Sequence, residues 1–337
     1  MSKRIAFVGT GAQGAGIGAD LTRAGLDVTF IEQWPAHVEA MRAHGLRVEL
    51  PDHTTTTTVT AHHLCEVATL RDKFDIVFLV VKAYDTKWSA ELIKPLVADD
   101  GLVVGLQNGM SIDDIADVVG PERTIGAVIE MASNMFHPGV TVRQTPPAES
   151  WFTVGGIHEA TLGREHEVVE VLRHAGTVEI SQDIRSSKWM KLVANAGELV
   201  PTAILNLPMA DAAALPGMRQ FMDLNCREAL KVALATGHRA VPIFGLTEVE
   251  ADPDEYAVKL LDLVHANWTL PTTLTTVLQD WRKGRRAEID EVNGLVVREG
   301  ERAGIRTPAN ARTLELARRI EAGELDAQPS NLEQLTA

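Results

Sequence analysis

The run Gly9-Thr10-Gly11-Ala12-Gln13-Gly14 is a G-x-G-x-x-G turn between a short apolar stretch and a helical pattern. Glycine at its first position permits a tight turn, at its second lets backbone approach a pyrophosphate, and at its third lets helix pack on strand. The helix behind it offers unbonded N–H groups and a positive dipole end to an anion. Gly9, Gly11, Ala12, Gln13 and Gly14 are therefore the expected cradle of a dinucleotide. Glu32 ends the next apolar run, 18 residues after Gly14. A carboxylate there accepts hydrogen bonds from both ribose hydroxyls and repels a 2′-phosphate. NAD is the expected cofactor and NADP the alternative. Arg42 and Lys3 are the basic residues whose place relative to Glu32 the sequence leaves open.

Two further polar residues end apolar runs: Lys82 follows FDIVFLVV, and Asn108 follows GLVVGLQ. Open α/β sheets bind ligands at the carboxyl ends of their strands, so Lys82 and Asn108 are expected to share a cleft with the glycine turn. Later in the chain, Lys191 and Asn195 are spaced i, i+4 and project from one helix face. Farther on, LQDWRKGRR precedes Glu288-Ile289-Asp290 and Asn293-Gly294, and its charge run reads by default as a solvated face. His62, His63 and Cys65 lack a fourth ligand at suitable spacing, so no metal site is expected.

These residues must be held by elements, and the texture of the chain changes once. Residues 4–9, 27–32, 74–81, 101–107 and 124–131 read as strands, with helices over 14–24 and 35–44. FDIVFLVV is apolar and β-branched almost throughout, the pattern of a parallel strand buried on both faces. The alternation implies a doubly wound parallel sheet of Rossmann type. The threonine run at 54–58 reads as an exposed strand after a Pro-Asp turn. Beyond about residue 184 the strand signals stop. Amphipathic stretches follow at 187–199, 217–236, 255–267, 272–284, 287–303 and 310–322, punctuated by prolines. The expected fold class is α/β: a dinucleotide-binding domain over 1–183, then an all-helical substrate and dimerisation domain over 184–337.

Composition narrows the partners. The 337 residues include 32 basic and 46 acidic side chains, a net charge of −14 that repels phosphodiester backbones and anionic lipid. No nucleic-acid or membrane partner is expected; a small-molecule substrate and a homodimer are. Two cysteines build no disulfide framework, which suits a reducing cytoplasm. Residues 5–8 are too short an apolar run for a secretion signal, and no window nears the roughly 18 apolar residues of a membrane span.

Taken together, these segments resemble the ketopantoate reductase (2-dehydropantoate 2-reductase) family. The resemblance rests on GTGAQG, VKAYDT, LQNGM, Lys188-Trp189 with Lys191-Leu192 and Asn195, LQDWRKGRRAEIDEVNG and GIRTPAN, in family order from Gly9 to about Glu321. It implies that Lys191 is the catalytic lysine and that Glu288 faces that lysine and the substrate hydroxyl. It also implies that Asn108 and Lys82 lie near nicotinamide and substrate, and that Asn195 binds substrate. The 6-phosphogluconate and 3-hydroxyacid dehydrogenases share a glycine-rich start but lack LQNGM and the late charged segment.

The departures point elsewhere. Leu199 stands where the family has a second substrate-binding asparagine, Met209 replaces a polar residue, and Thr276 replaces a serine. Gln33 follows Glu32 where an NADP-binding arginine is usual. The resemblance thus implies hydride transfer between a nicotinamide and a 2-keto acid or related ketone, with NAD preferred and a substrate more apolar than ketopantoate. A true 2-dehydropantoate 2-reductase and, from another class, a non-catalytic NAD sensor are the alternatives.

Overall fold

The computed structural model describes residues 3–337, which divide into two compact units, the first ending at Ile184 and the second running from Arg185 to Ala337. In chain order the first unit holds β1 (Arg4–Val8), α1 (Ala12–Arg23), β2 (Asp27–Glu32), α2 (Pro35–His44), β3 (Leu46–Glu49), β4 (Thr54–Thr57) and β5 (Thr60–His63). It continues with β6 (Phe74–Leu79), α3 (Thr86–Ile93), β7 (Val97–Leu106), α4 (Ile112–Val119), β8 (Thr124–Glu130), β9 (Ser133–His137) and β10 (Val140–Arg143). Then come β11 (Trp151–Gly156), α5 (Glu165–Leu172) and β12 (Thr177–Ile180).

The main sheet has the order β12-β11-β8-β7-β6-β1-β2-β5 and is parallel except where β11 runs against β8. Successive side chains of a strand point to opposite faces. Ile5 and Phe7 accordingly join one core, and Ala6 and Val8 another on the far face. Phe7 stacks on Phe78 of β6 at 4.8 Å between centroids. Because both faces are covered, these strands read as continuous apolar runs rather than alternating ones. β1 lies between β2 and β6, so the chain turns opposite ways on its two sides, the switch point where such sheets bind ligands.

A second sheet, β4-β3-β10-β9, packs against α1 and was not expected from the sequence. Its strands are four or five residues long, too short for a period-two pattern to stand out. Only the threonine strand was legible. Arg143 of β10 is fully buried and ties this sheet to α1 through an ion pair with Asp20. Its other donors go to Thr145 O (2.9 Å), Ser150 Oγ (2.9 Å) and Ala175 O (2.8 Å), so every arm of the buried guanidinium is used.

The second unit is helical: α6 (Ile184–Ile204), α7 (Met209–Ala213), α8 (Met218–Ala235), α9 (Pro253–Trp268), α10 (Thr276–Arg282), α11 (Asn293–Ala303), α12 (Pro308–Glu321) and α13 (Leu332–Thr336). Residues 287–292, expected as helix, instead form a turn ahead of α11, and α10 is shorter than its pattern suggested. α6 packs so closely on α8 that a Cβ on Gly197 would strike Cys226 Sγ. Among the described residues no helix is long and apolar enough to cross a membrane.

Candidate active site

The three glycines of the turn do three different jobs. Gly9 has φ +87°, and a Cβ on it would sit 2.7 Å from Val81 Cγ1. A Cβ on Gly14 would collide with Gly9 O, so this glycine lets α1 lie on the turn. A Cβ on Gly11 would meet nothing within 4 Å; the backbone there faces open space. Gly11 is also the N-cap of α1, with no side-chain cap and no acidic residue in the first turn. The N–H groups at the start of a helix lack intrahelical partners, so Ala12 and Gln13 fit a pyrophosphate. The Gln13 amide itself donates to Met131 O at 3.3 Å.

Glu32, at the end of β2, is buried and built into the turn. Its Oε2 accepts from Thr10 N (2.7 Å) and Thr10 Oγ1 (3.0 Å), and its Oε1 accepts from Trp34 N (2.9 Å). Thr10 O in turn accepts from His37 Nε2 at 2.9 Å, while Gly139 N–H donates to His37 Nδ1 at 2.8 Å. That pair of bonds fixes one tautomer, and burial holds the His37 pKa below its ordinary range against the pull of Glu32. Arg42 pairs with Glu66 and Glu39, and Lys3 with Glu167. Among the described residues no cation pairs with Glu32.

The parallel pairing of β2, β1, β6 and β7 brings Glu32, the glycine turn, Lys82 and Asn108 to one edge of the sheet. Lys82 is the N-cap of the short turn Ala83–Asp85, and Asn108 lies two residues beyond β7; both are half-buried. Between them sits Gln107, which the LQNGM motif contains without indicating its role. Gln107 Nε2 donates to Val81 O (2.8 Å) and Thr86 Oγ1 (2.9 Å), and Ser111 Oγ donates to Gln107 Oε1 (3.1 Å). One buried amide thus clamps the loop carrying Lys82 to the loop carrying Asn108.

In the second unit, α6 is buried around its whole circumference from Ser186 to Ile204. A buried helix is normally apolar all round. This one carries Lys188, Lys191, Asn195, Glu198 and Thr202 at spacings of three and four, a polar stripe along one side. Lys188 is 3% exposed and Lys191 7%. Burial pushes the Lys188 pKa down to about 8, and the Glu288 carboxylate opposes the shift. Glu288 is buried in the turn before α11, at the inner end of a charge run whose Arg282, Arg285 and Arg286 are exposed. Its charge therefore acts on Lys188, a partner that the spacing of Lys191 and Asn195 alone did not suggest. The extended stripe was the available signal: 188 and 198 continue the spacing of 191 and 195.

Leu199 and Met209 are both buried, Leu199 one turn beyond Asn195 and Met209 at the start of α7, where its N–H donates to Thr273 O at 3.0 Å. Thr276 opens α10 and is half-buried; the capping bond there comes from Thr275, whose hydroxyl accepts from Leu278 N. Lys191 Nζ lies 5.5 Å from the centroid of the Phe244 ring.

This geometry has close relatives. The family model for ketopantoate reductase PanE/ApbA matches residues 5–179, and that for its C-terminal region matches 183–321. A 2-dehydropantoate 2-reductase from Archaeoglobus fulgidus is 28% identical over 331 residues, covering 95% of this chain and 99% of the relative. A PanE/ApbA family ketopantoate reductase from Ralstonia eutropha superposes with a TM-score of 0.79 at 29% identity, over 95% of this chain and 99% of that one. D-mandelate dehydrogenase, solved with NADH and anilino(oxo)acetate, shares the fold with a TM-score of 0.84 at 22% identity, over 95% and 99% of the two chains. With both family models matched in order along nearly its whole length, the chain belongs to the ketopantoate reductase family and is an NAD(P)-dependent oxidoreductase acting on CH–OH groups.

Proposed function

We propose that this enzyme transfers hydride reversibly between NAD(H) and the C2 carbon of a 2-keto acid, or a related ketone, whose side chain is more apolar than that of ketopantoate. The observation that carries the coenzyme choice is Glu32, held by Thr10 and Trp34 with no cation among the described residues paired to it. A 2′-phosphate would meet a fixed like charge, whereas ribose hydroxyls would find an acceptor. The bound nicotinamide supplies or accepts the hydride.

The remaining roles fall to the chain's own side chains. In the first unit, Lys82 and Asn108 orient coenzyme and substrate from the two loops that Gln107 clamps. In the second, the Lys191 ammonium donates a hydrogen bond to the ketone oxygen as negative charge builds there, then gives up a proton; in oxidation it takes that proton back. Asn195 holds the substrate's carboxylate or carbonyl, and Glu288 acts on the lysines and the substrate hydroxyl. Leu199, Met209 and Thr276 line the side-chain end. The reading extends to a cytoplasmic homodimer joined through the long helices of the second unit; a ketopantoate reductase from Staphylococcus aureus with the same fold is dimeric.

A second reading, a 2-dehydropantoate 2-reductase proper, is favoured by the name of the Archaeoglobus fulgidus relative. Steady-state rates with NADH and NADPH on a panel of 2-keto acids that includes ketopantoate separate the two. NADH-linked turnover greatest on apolar keto acids supports the first reading; NADPH-linked turnover greatest on ketopantoate supports the second.

A further inference from the structure

The loop after α8 carries an unusual turn. Leu246 N donates to Ile243 O at 3.1 Å, and the two residues between, Phe244 and Gly245, have φ of 60° and 77°. Positive φ at both central positions is the signature of a type I′ turn, which favours Asn-Gly because a bulky side chain is strained there. Phenylalanine at the first position is therefore a choice that local backbone preference opposes. Strain of this kind persists only where surrounding structure over-determines it, and it clusters at functional sites.

The surroundings here are well defined. Tyr256 OH donates to Val241 O at 2.6 Å, and Arg239 N donates to Ser186 Oγ of α6 at 3.0 Å, so the loop is pinned to α9 and to α6. Phe244 is 6% exposed, and its ring lies tilted on Trp268, the last residue of α9, at 5.6 Å. The Lys191 ammonium is 5.5 Å from the centroid of the same ring. An ammonium within about 6 Å of an aromatic centroid is attracted by the ring quadrupole, most strongly when desolvated.

We infer that Phe244 is a positioning residue for Lys191: its π face holds the ammonium in place and leaves an aromatic wall beside the reacting oxygen. The inference rests on Lys191 being the catalytic lysine. A lysine side chain has four rotatable bonds, and a contact to its ammonium narrows the orientations it samples. A π face attracts the ammonium without taking a proton from it. An apolar wall at this point also suits a substrate with a branched or aromatic substituent.

The test compares Phe244→Leu, which keeps bulk and removes the π face, with Phe244→Tyr, which keeps both. Phe244→Leu is expected to lower kcat about 2- to 30-fold, the range spanned by such interactions, by a similar factor for every keto acid turned over. Coenzyme KM should not move, and Phe244→Tyr should restore kcat. An unchanged kcat in Phe244→Leu, a change confined to KM for large substrates, or equal impairment of the tyrosine variant would each overturn the inference. Lys191→Ala, assayed in parallel, tells two failures apart. If it is inactive while Phe244→Leu is normal, the positioning role alone falls; if it turns over normally, the role of Lys191 falls and takes the inference with it.

Discussion

Thr10 and Glu32 are joined twice, the Thr10 N–H and hydroxyl both donating to Glu32 Oε2 at 2.7 and 3.0 Å. The acid that would read the ribose is thus also a brace of the glycine turn, and the two functions cannot be altered separately. Two like charges about 4 Å apart cost on the order of 1–4 kcal/mol at effective dielectric constants of 80 to 20. The unaltered enzyme should therefore favour NADH over NADPH by about tenfold or more in kcat/KM. Glu32→Ala should narrow that ratio while raising KM for both coenzymes, because Thr10 loses its acceptor. Equal or better use of NADPH by the unaltered enzyme would sink the assignment.

The second prediction concerns Lys191. Removing one preorganised electrostatic donor costs roughly 10²–10³ in kcat, and loss of acid–base assistance roughly 10²–10⁴. Lys191→Ala should lower kcat at least about a hundredfold. Fluorescence titration should find NADH affinity unchanged, since the glycine turn and Glu32 belong to the other unit. Near-normal turnover would move the role to another residue, with Lys188 the first to examine.

Lys188 gives a pH signature of its own. Burial brings its pKa to about 8 in the folded chain from an ordinary 10.5, so between those values the unfolded chain binds the extra proton. Unfolding free energy from this group therefore rises with pH from about 8 to 10.5 and is lowest, with the penalty fully present, below 8. Lys188→Met lacks that dependence. Denaturant melts of the two proteins between pH 7 and 10 should show the variant losing ground to the parent as pH rises through 8. A constant difference across that range would mean that Lys188 is not desolvated.

A fourth expectation follows from Gln107. Leucine at this position leaves the Val81 carbonyl without its amide donor and the buried Ser111 hydroxyl without its acceptor, which costs about 1–3 kcal/mol per unsatisfied group. Gln107→Leu should destabilise the protein by about 2 kcal/mol and lower kcat/KM roughly tenfold by loosening Lys82 relative to Asn108. Melting curves and steady-state kinetics check both, and full activity in a folded variant would rule out the clamp.

How far the sequence could be read depends on what each residue touches. The glycine turn was legible because Gly9 and Gly14 have contacts that exclude any side chain, leaving a fixed spacing behind. The parallel strands were legible because burial on both faces demands unbroken apolar runs. The second sheet was not, since β3, β9 and β10 are short and Arg143, its buried anchor, looks like any surface arginine until Asp20 is seen beside it. Lys188 is hard to read for the same reason: a lone lysine on a helix is usually solvated, and only the complete polar stripe through Thr202 sets it apart. Phe244 leaves no such pattern, because its strain is a backbone property.

The last prediction is substrate polarity, and Leu199 carries it. Leu199 is 8% exposed, one turn beyond Asn195 on a helix whose stripe is otherwise polar, and Met209 is 4% exposed at the start of α7. A hydroxyl buried against such residues without a partner costs about 1–3 kcal/mol. Apolar area instead gains about 25 cal/mol per Å², and methionine adapts to irregular shapes. Branched or aromatic 2-keto acids should therefore exceed ketopantoate in kcat/KM. Leu199→Asn should move the ratio back toward the hydroxylated substrate by about tenfold, the effect of restoring one hydrogen-bonding partner. Both quantities come from one substrate panel run on two proteins. If ketopantoate outperforms its apolar analogues tenfold in the parent enzyme, or if the asparagine variant leaves the ratio unchanged, Leu199 only packs its helix and the side-chain end of the substrate is read elsewhere.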